Sequence, residues 1–373
     1  MLRVLLVFGT RPEAIKLAPV IRRLRQQPQQ FHVSIAVTAQ HRSLLDQVLE
    51  VFSIQPDYDL NLMQPGQSLH QSTSRIIAAL EPVIAQERPD WVLVQGDTTT
   101  AFCGALAAFY SGVAVGHIEA GLRTGDPRSP FPEEMNRVLV GRMTALHFAP
   151  TNVSADNLRR EGVDERSIVV TGNTGIDAVL EIRDALESGR LQPPVTAITV
   201  NPAKKLILVT GHRRESFGAG FEGVCEALAR LAQRDDVEIV YPVHPNPNVT
   251  GPVRSKLGGL SNVHLIEPLD YVSFVDMMRR AHFLLTDSGG VQEEAPSLGK
   301  PVLVMRENTE RPEAVTAGTA RLVGTDPDRI VAEARALLED AADYERRSRI
   351  HNPYGDGTAA EKIVARLELT GVQ

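Results

Sequence analysis

The 373-residue chain has two cysteines, one tryptophan and no excess of positive charge, with 39 Lys and Arg against 46 Asp and Glu. Each scarcity excludes something. Cys103 and Cys225 lie in separate helix-period segments; two such residues are too few for a disulfide scaffold and fit a reducing compartment. A formal net charge of −7 argues against non-specific binding to nucleic acid or an anionic membrane, which needs a basic surface. It leaves room for a local basic pocket. No run reaches the roughly 18 apolar residues of a membrane helix. The opening "MLRVLLVFGT" meets Arg11, Pro12 and Glu13 without a small-residue cleavage site, so it reads as a first strand rather than a signal peptide. A soluble, cytoplasmic protein is expected. Serine-elbow, HEXXH and clustered-cysteine signatures are missing, and no GXGXXG follows the first strand. These gaps disfavour Ser-triad hydrolysis, metal catalysis and classical NAD chemistry.

What is present is alternation. Residues 4–9, 32–37, 91–96 and 113–118 are short apolar runs that read as parallel strands buried on both faces. Helix-period segments at 13–26, 42–52, 68–86 and 98–111 lie between them. The βαβα order predicts a doubly wound α/β domain. The grammar restarts at 206–211, 237–243, 263–268, 283–288 and 301–305. The proline-bearing stretch 188–205 reads as connection, with the domain change near 172–200. Two domains are expected: 1–172, completed by a last helix at 357–373, and 173–356. Ligands of such sheets bind beyond the carboxyl ends of the strands, in a cleft if two domains face each other.

The chemistry-bearing residues do follow strands. In "GTRPEAIK", Gly9 permits a turn, Pro12 suits a first helical turn, and Arg11 and Lys16 join the helix dipole as candidate anion ligands. An ordinary Pro-started helix with surface cations explains the same residues. "TERPEAV" repeats Arg-Pro-Glu-Ala and makes Arg311 a further candidate cation. "TGHRRE" offers His212 and Arg213, and "YPVHPNPN" offers His244. Acids follow strands of the first half: Asp97 in "QGDTTT", Glu119 in "HIEAGLRT", and Glu133 with Glu134 in "SPFPEEMNR". Asp97 read plainly is a cap for the helix near Thr98. Glu133 and Glu134 read plainly are first-turn acids. Glu119 is the least explicable as a cap, because a glycine and a loop follow it. Acids on three loops at one end of a sheet point to acid–base work.

Taken together, "FGTRPEAIKLAP", "TAQHR", "GDTTT", "GHIEAGLRTGD", "PFPEEMNR", "TGHRRESFG", "YPVHPNP", "TDSGGVQEEAPSLGKPVLVMR" and "HNPYGDG" resemble the non-hydrolysing UDP-N-acetylglucosamine 2-epimerases from first strand to last turn. The resemblance implies a GT-B architecture of two Rossmann-like doubly wound parallel-sheet domains with an interdomain cleft. It implies a cytosolic homodimer that interconverts UDP-N-acetylglucosamine and UDP-N-acetylmannosamine for bacterial surface polysaccharide, with no metal or redox cofactor. Asp97, Glu119, Glu133 and His212 fall in the catalytic set, with Asp97 and Glu133 both candidates for the base at C2. Arg11, Lys16, Arg137 and Arg213 would bind substrate. Ser288, Gly289 and Gly290 would hold the diphosphate, Glu294 the ribose, and Phe274 and the backbone at Leu269 the uracil, with Arg311 also in the substrate-binding set. Glu293 reads as a first-turn acid favoured by the helix dipole. Gln40, Gln67, Arg213 and His244 match an activating second site of some bacterial members, whereas Ser43 and Gly66 depart from it. A GT-B glycosyltransferase, a hydrolysing epimerase that releases free sugar, and a nucleotide-sugar sensor are the alternative readings.

Overall fold

The computed structural model describes residues 1–38, 42–64, 66–194, 199–211, 213 and 217–371. Seven strands, β1 (Leu2–Phe8), β2 (Phe31–Val37), β3 (Tyr58–Asp59), β4 (Trp91–Gln95), β5 (Ala114–Ile118), β6 (Leu146–Ala149) and β7 (Ile168–Val170), form one sheet. Its order is β3-β2-β1-β4-β5-β6-β7. Six more, β8 (Lys205–Thr210), β9 (Val237–Pro242), β10 (Val263–Ile266), β11 (Phe283–Thr286), β12 (Val302–Val304) and β13 (Ala320–Leu322), form a second sheet, ordered β10-β9-β8-β11-β12-β13. All the strand pairs are parallel. The two doubly wound units are those expected of the GT-B class.

The long strand runs were legible because the central strands are apolar on both faces. Leu5, Leu6, Val7 and Phe8 are fully buried, as are Ile207, Leu208 and Val209. Unpaired backbone groups cannot stay in such a core, so the chain pairs them in a ladder and covers each face with helices. The strands that sequence reading passed over are β3, β6, β7 and β13, of two to four residues. So short a strand gives no period to detect; pairing with an existing sheet edge makes it.

The chain divides into two compact units, Met1–Ala178 with Tyr354–Gln373, and Val179–Pro353. The change falls within the helix Thr174–Glu187. In the first unit, Asp177 accepts hydrogen bonds from the Ala359 and Ala360 amides at 3.2 and 2.8 Å. It thus stands in for the missing side-chain cap of the last helix, Ala359–Glu368. Cys103 and Cys225 are buried, free thiols, and burial pushes them up to about 12 and about 11. Among the described residues no helix is long and apolar enough to cross a membrane.

Candidate functional site

Each sheet reverses its winding once, between β1 and β4 in the first unit and between β8 and β11 in the second. Loops leaving the two strands at such a point diverge and open a crevice. In the first unit the crevice is a cavity of about 460 Å³ lined by residues that follow β1, β4 and β5. Four carboxylates, Glu13, Asp97, Glu119 and Glu133, reach its wall together with Lys16.

The loop after β1 explains its own sequence. Thr10 caps the helix Arg11–Arg25, and Glu13 turns back to form a capping box. Gly9 is required by close approach: a Cβ there would lie 2.2 Å from Thr38 Oγ1 and 2.6 Å from Thr100 Oγ1. One turn on, Lys16 pairs with the Glu119 carboxylate. Arg11 is half-buried and makes no hydrogen bond or ion pair among the described residues.

Glu119 occupies the left-handed region with φ 65°, an uncommon conformation for a non-glycine residue. Two partners hold it there: Lys16, and Gln95, whose side-chain amide donates at 2.5 Å. Asp97 does not cap the helix Thr99–Tyr110; Thr98 does, accepting from the Ala101 amide. The capping reading of Asp97 is therefore corrected. Its carboxylate instead takes a hydrogen bond of 2.5 Å from Arg137, and its carbonyl one of 2.8 Å from Asn136. Both donors belong to the helix Glu133–Met143, whose first residue is Glu133. Glu134 is buried; it accepts the Thr124 and Gly125 amides and lies 3.4 Å from Arg137. Glu133 alone of the four cavity acids has no hydrogen bond or ion pair among the described residues.

Behind Asp97, the fully buried His117 donates from Nε2 to the Gly96 carbonyl at 2.7 Å. It stands beside His147 in register on β6. Burial pushes His117 down to about 3 and His147 down to about 4. Both are neutral in the folded protein, while the unfolded chain takes up protons below about pH 6.5. The unfolded state then binds more protons, so acid must destabilise the fold. We expect a loss of about 1 kcal/mol per histidine for each pH unit below 6.5. Urea midpoints at pH 7 and pH 5 measure it, and equal midpoints would contradict two neutral buried histidines.

The second unit carries the remaining candidates. Arg213 follows β8, and its amide donates to Asp287 after β11 at 2.8 Å, tying the two loops of that winding reversal. Ser288 precedes the short helix Gly289–Glu294 without a side-chain cap bond. The Arg311 guanidinium lies against Gly289, with Cζ 3.6 Å from where a Cβ would be, and Glu294 Oε1 is 3.9 Å from the same point on Gly290. Glu293 is buried and pairs with Arg311; it lies beyond the first turn of its helix, so the reading of it as a first-turn acid favoured by the dipole is corrected. The second Arg-Pro-Glu-Ala does not repeat the first: Arg311 itself is the N-cap of Pro312–Ala317, and no side chain caps it. Phe274 lies half-buried on the helix Tyr271–Arg280, and Leu269 is half-buried just before it. His244 is exposed. Gln67, in the first unit, donates to Met63 Sδ at 2.8 Å. His212 and Gln40 lie outside the described residues. Among those residues no cluster of three or more His, Cys, Asp or Glu could hold a metal ion.

The sequence model of the UDP-N-acetylglucosamine 2-epimerase family matches residues 22–368. The chain belongs to that family. The family's UDP-N-acetylglucosamine 2-epimerase of Escherichia coli strain K12 is 58% identical over 371 residues, 98% of each chain. The solved UDP-N-acetylglucosamine 2-epimerase of Neisseria meningitidis, bound to UDP-N-acetylglucosamine, is 48% identical with a TM-score of 0.90. It covers 98% of this chain and 99% of its own. A solved S. aureus protein bound to UDP is 47% identical with a TM-score of 0.86, over 99% and 97% of the two chains. Three residues of this family member escaped the sequence reading. Glu13 was signalled by the Thr-x-x-Glu capping box. Gln95 is a polar residue inside an apolar strand, and Asn136 sits one helical turn beyond Glu133; neither has a meaning without its partner in space.

Proposed function

We propose that the protein interconverts UDP-N-acetylglucosamine and UDP-N-acetylmannosamine by eliminating UDP and adding it back. The observation that supports this is the cavity wall of four acids and a lysine. A glycosyl transfer to an acceptor would not need so many acids in this unit.

The C2 hydrogen beside the acetamido nitrogen is a poor acid. If the C1–O bond breaks first, cation character on the ring acidifies C2–H. The C1–O electron pair leaves on the UDP β-phosphate, the C2 proton passes to a carboxylate, and the C2–H electrons become the C1=C2 bond of 2-acetamidoglucal. Protonation at C2 from the other face and return of UDP complete the epimerisation. A base must be free to gain and lose a proton, and Glu133 alone of the four acids has no hydrogen bond or ion pair among the described residues to give up first. That distinction favours Glu133 as the C2 base. Asp97, fixed by Arg137, and Glu119, fixed by Lys16, would stabilise the ring cation and serve the opposite face. In the second unit Arg213, Arg311 and the Ser288–Gly290 backbone would receive the departing diphosphate, and His212, which precedes Arg213 in sequence, would assist. Glu294 next to Gly290 would take the ribose, and Phe274 with the Leu269 backbone the uracil. Arg11 would add charge to the diphosphate.

Elimination needs neither metal nor redox cofactor. The same reading carries a cytoplasmic homodimer, a ManNAc-precursor role in surface polysaccharide, and activation by a second UDP-N-acetylglucosamine near Gln40, Gln67, Arg213 and His244. Incubation with UDP-N-acetylglucosamine alone in D₂O tests the reaction: the expected product is UDP-N-acetylmannosamine with deuterium at C2. Net release of UDP and free sugar would instead establish the hydrolysing reaction, and neither epimer nor exchange would overturn the proposal.

A further inference from the structure

Glu13 is the most completely enclosed acid of the cavity, with only 1% of its surface exposed. Burial pushes its carboxyl up, and an unpaired carboxylate there would be costly. It is instead the acceptor of four donors. Oε2 receives the Gly9 amide at 3.1 Å, the Thr10 amide at 2.8 Å and the Thr10 hydroxyl at 2.7 Å. Oε1 receives the Thr98 hydroxyl at 2.7 Å, across 85 residues of sequence. The first three bonds close the corner between β1 and the helix Arg11–Arg25. The fourth belongs to a different loop, and Thr98 is the residue next to Asp97.

The Thr98 hydroxyl has two duties. It donates to Glu13, and its oxygen accepts the Ala101 amide at 3.0 Å as the helix cap. The rotamer that caps the helix therefore also seats the loop on Glu13. From the other side, Asn136 and Arg137 hold the carbonyl and carboxylate of Asp97. Asp97 is thus fixed between the helix that carries Glu133 and the helix that carries Lys16, and Glu13 is its tie to the second. A capping box alone needs the Thr10 bonds; it does not need Oε1 turned across the cavity to Thr98.

We infer that Glu13 is a positioning residue for the epimerisation: through Thr98 it sets Asp97 in register with Lys16 and Glu119. This rests on the functional reading above, in which Asp97 faces the reacting sugar. Misplacing a reacting group by about 1 Å costs up to about 100-fold in rate. Glutamine at 13 keeps the volume and one acceptor oxygen but cannot accept both from the corner amides and from Thr98.

The experiment compares Glu13→Gln, Thr98→Val, Thr98→Ser and the Glu13→Gln/Thr98→Val pair in the full chain. Turnover, KM and amide hydrogen exchange of the 9–13 and 95–101 segments are measured together. Glu13→Gln and Thr98→Val should each lower kcat by about 10–100-fold with KM within about twofold, the signature of lost transition-state geometry. Thr98→Ser, which keeps the hydroxyl, should restore most of the parent rate. The pair should lose no more than the worse single variant, because one link is cut twice. Exchange should rise in both segments and not elsewhere. Additive kcat losses, a Thr98→Ser variant as slow as Thr98→Val, or unchanged exchange at 95–101 in Glu13→Gln would each overturn the assignment. Exchange is read without turnover, so it judges the clamp even if the parent chain fails to epimerise, a failure that would fall on the functional proposal alone.

Discussion

Glu133→Gln should lose turnover by about 10²–10⁴-fold, the range that a positioned general base supplies, while UDP affinity changes by no more than about threefold. The split follows from where Glu133 sits. It opens the helix Glu133–Met143 at the cavity wall. Removing its charge breaks no ion pair or hydrogen bond among the described residues. The fold should therefore tolerate glutamine, and the missing function is the ability to take a proton. Arg137 and Asn136, which hold Asp97, stay in place on the same helix. Single-turnover rates with isothermal titration of UDP check both halves. Equal losses of affinity and turnover would make Glu133 a binding or folding residue, and Asp97 would then stand as the C2 base.

Glu293→Ala should destabilise the second unit by about 1.5–3 kcal/mol, the cost of losing a hydrogen bond between charged groups at a largely enclosed site. At roughly 2–4 °C per kcal/mol for a unit of this size, the transition should fall by about 3–12 °C. The magnitude follows from enclosure: the side chains of Glu293 and Arg311 are 3% and 16% exposed. An exposed pair would be worth about 0–1 kcal/mol. The same change should weaken UDP binding, since Arg311 is the guanidinium that lies against Gly289. Calorimetry of the variant, with and without UDP, measures both effects. A transition within about 1 °C of the parent's would mean that the pair is worth no more than an exposed one.

The two glutamates at 293 and 294 show where sequence reading stops. Both close the short helix Gly289–Glu294, both follow two glycines, and nothing local distinguishes them. Glu293 turns to a half-buried arginine 18 residues away in sequence, whereas Glu294 stays half-buried beside Gly290. Asp97 teaches the same lesson. Its place before a helix fits a cap, but Thr98 is in the geometry to cap, which leaves the Asp97 carboxylate for Arg137, 40 residues on.

The order of apolar runs and helix periods determined the two doubly wound units, because a parallel strand buried on both faces must be apolar throughout and its crossover must be long enough for a helix. Position after a strand also picked out Lys16, Asp97, Glu119 and Glu133, because a doubly wound sheet presents its ligands' crevice at the carboxyl ends. Only the tertiary structure decided which of these acids is held and which is free. Ion pairs and hydrogen bonds form between side chains brought within about 3 Å by the fold, across separations of 40 to 103 residues. Charge in a sequence has no partner until the chain has packed.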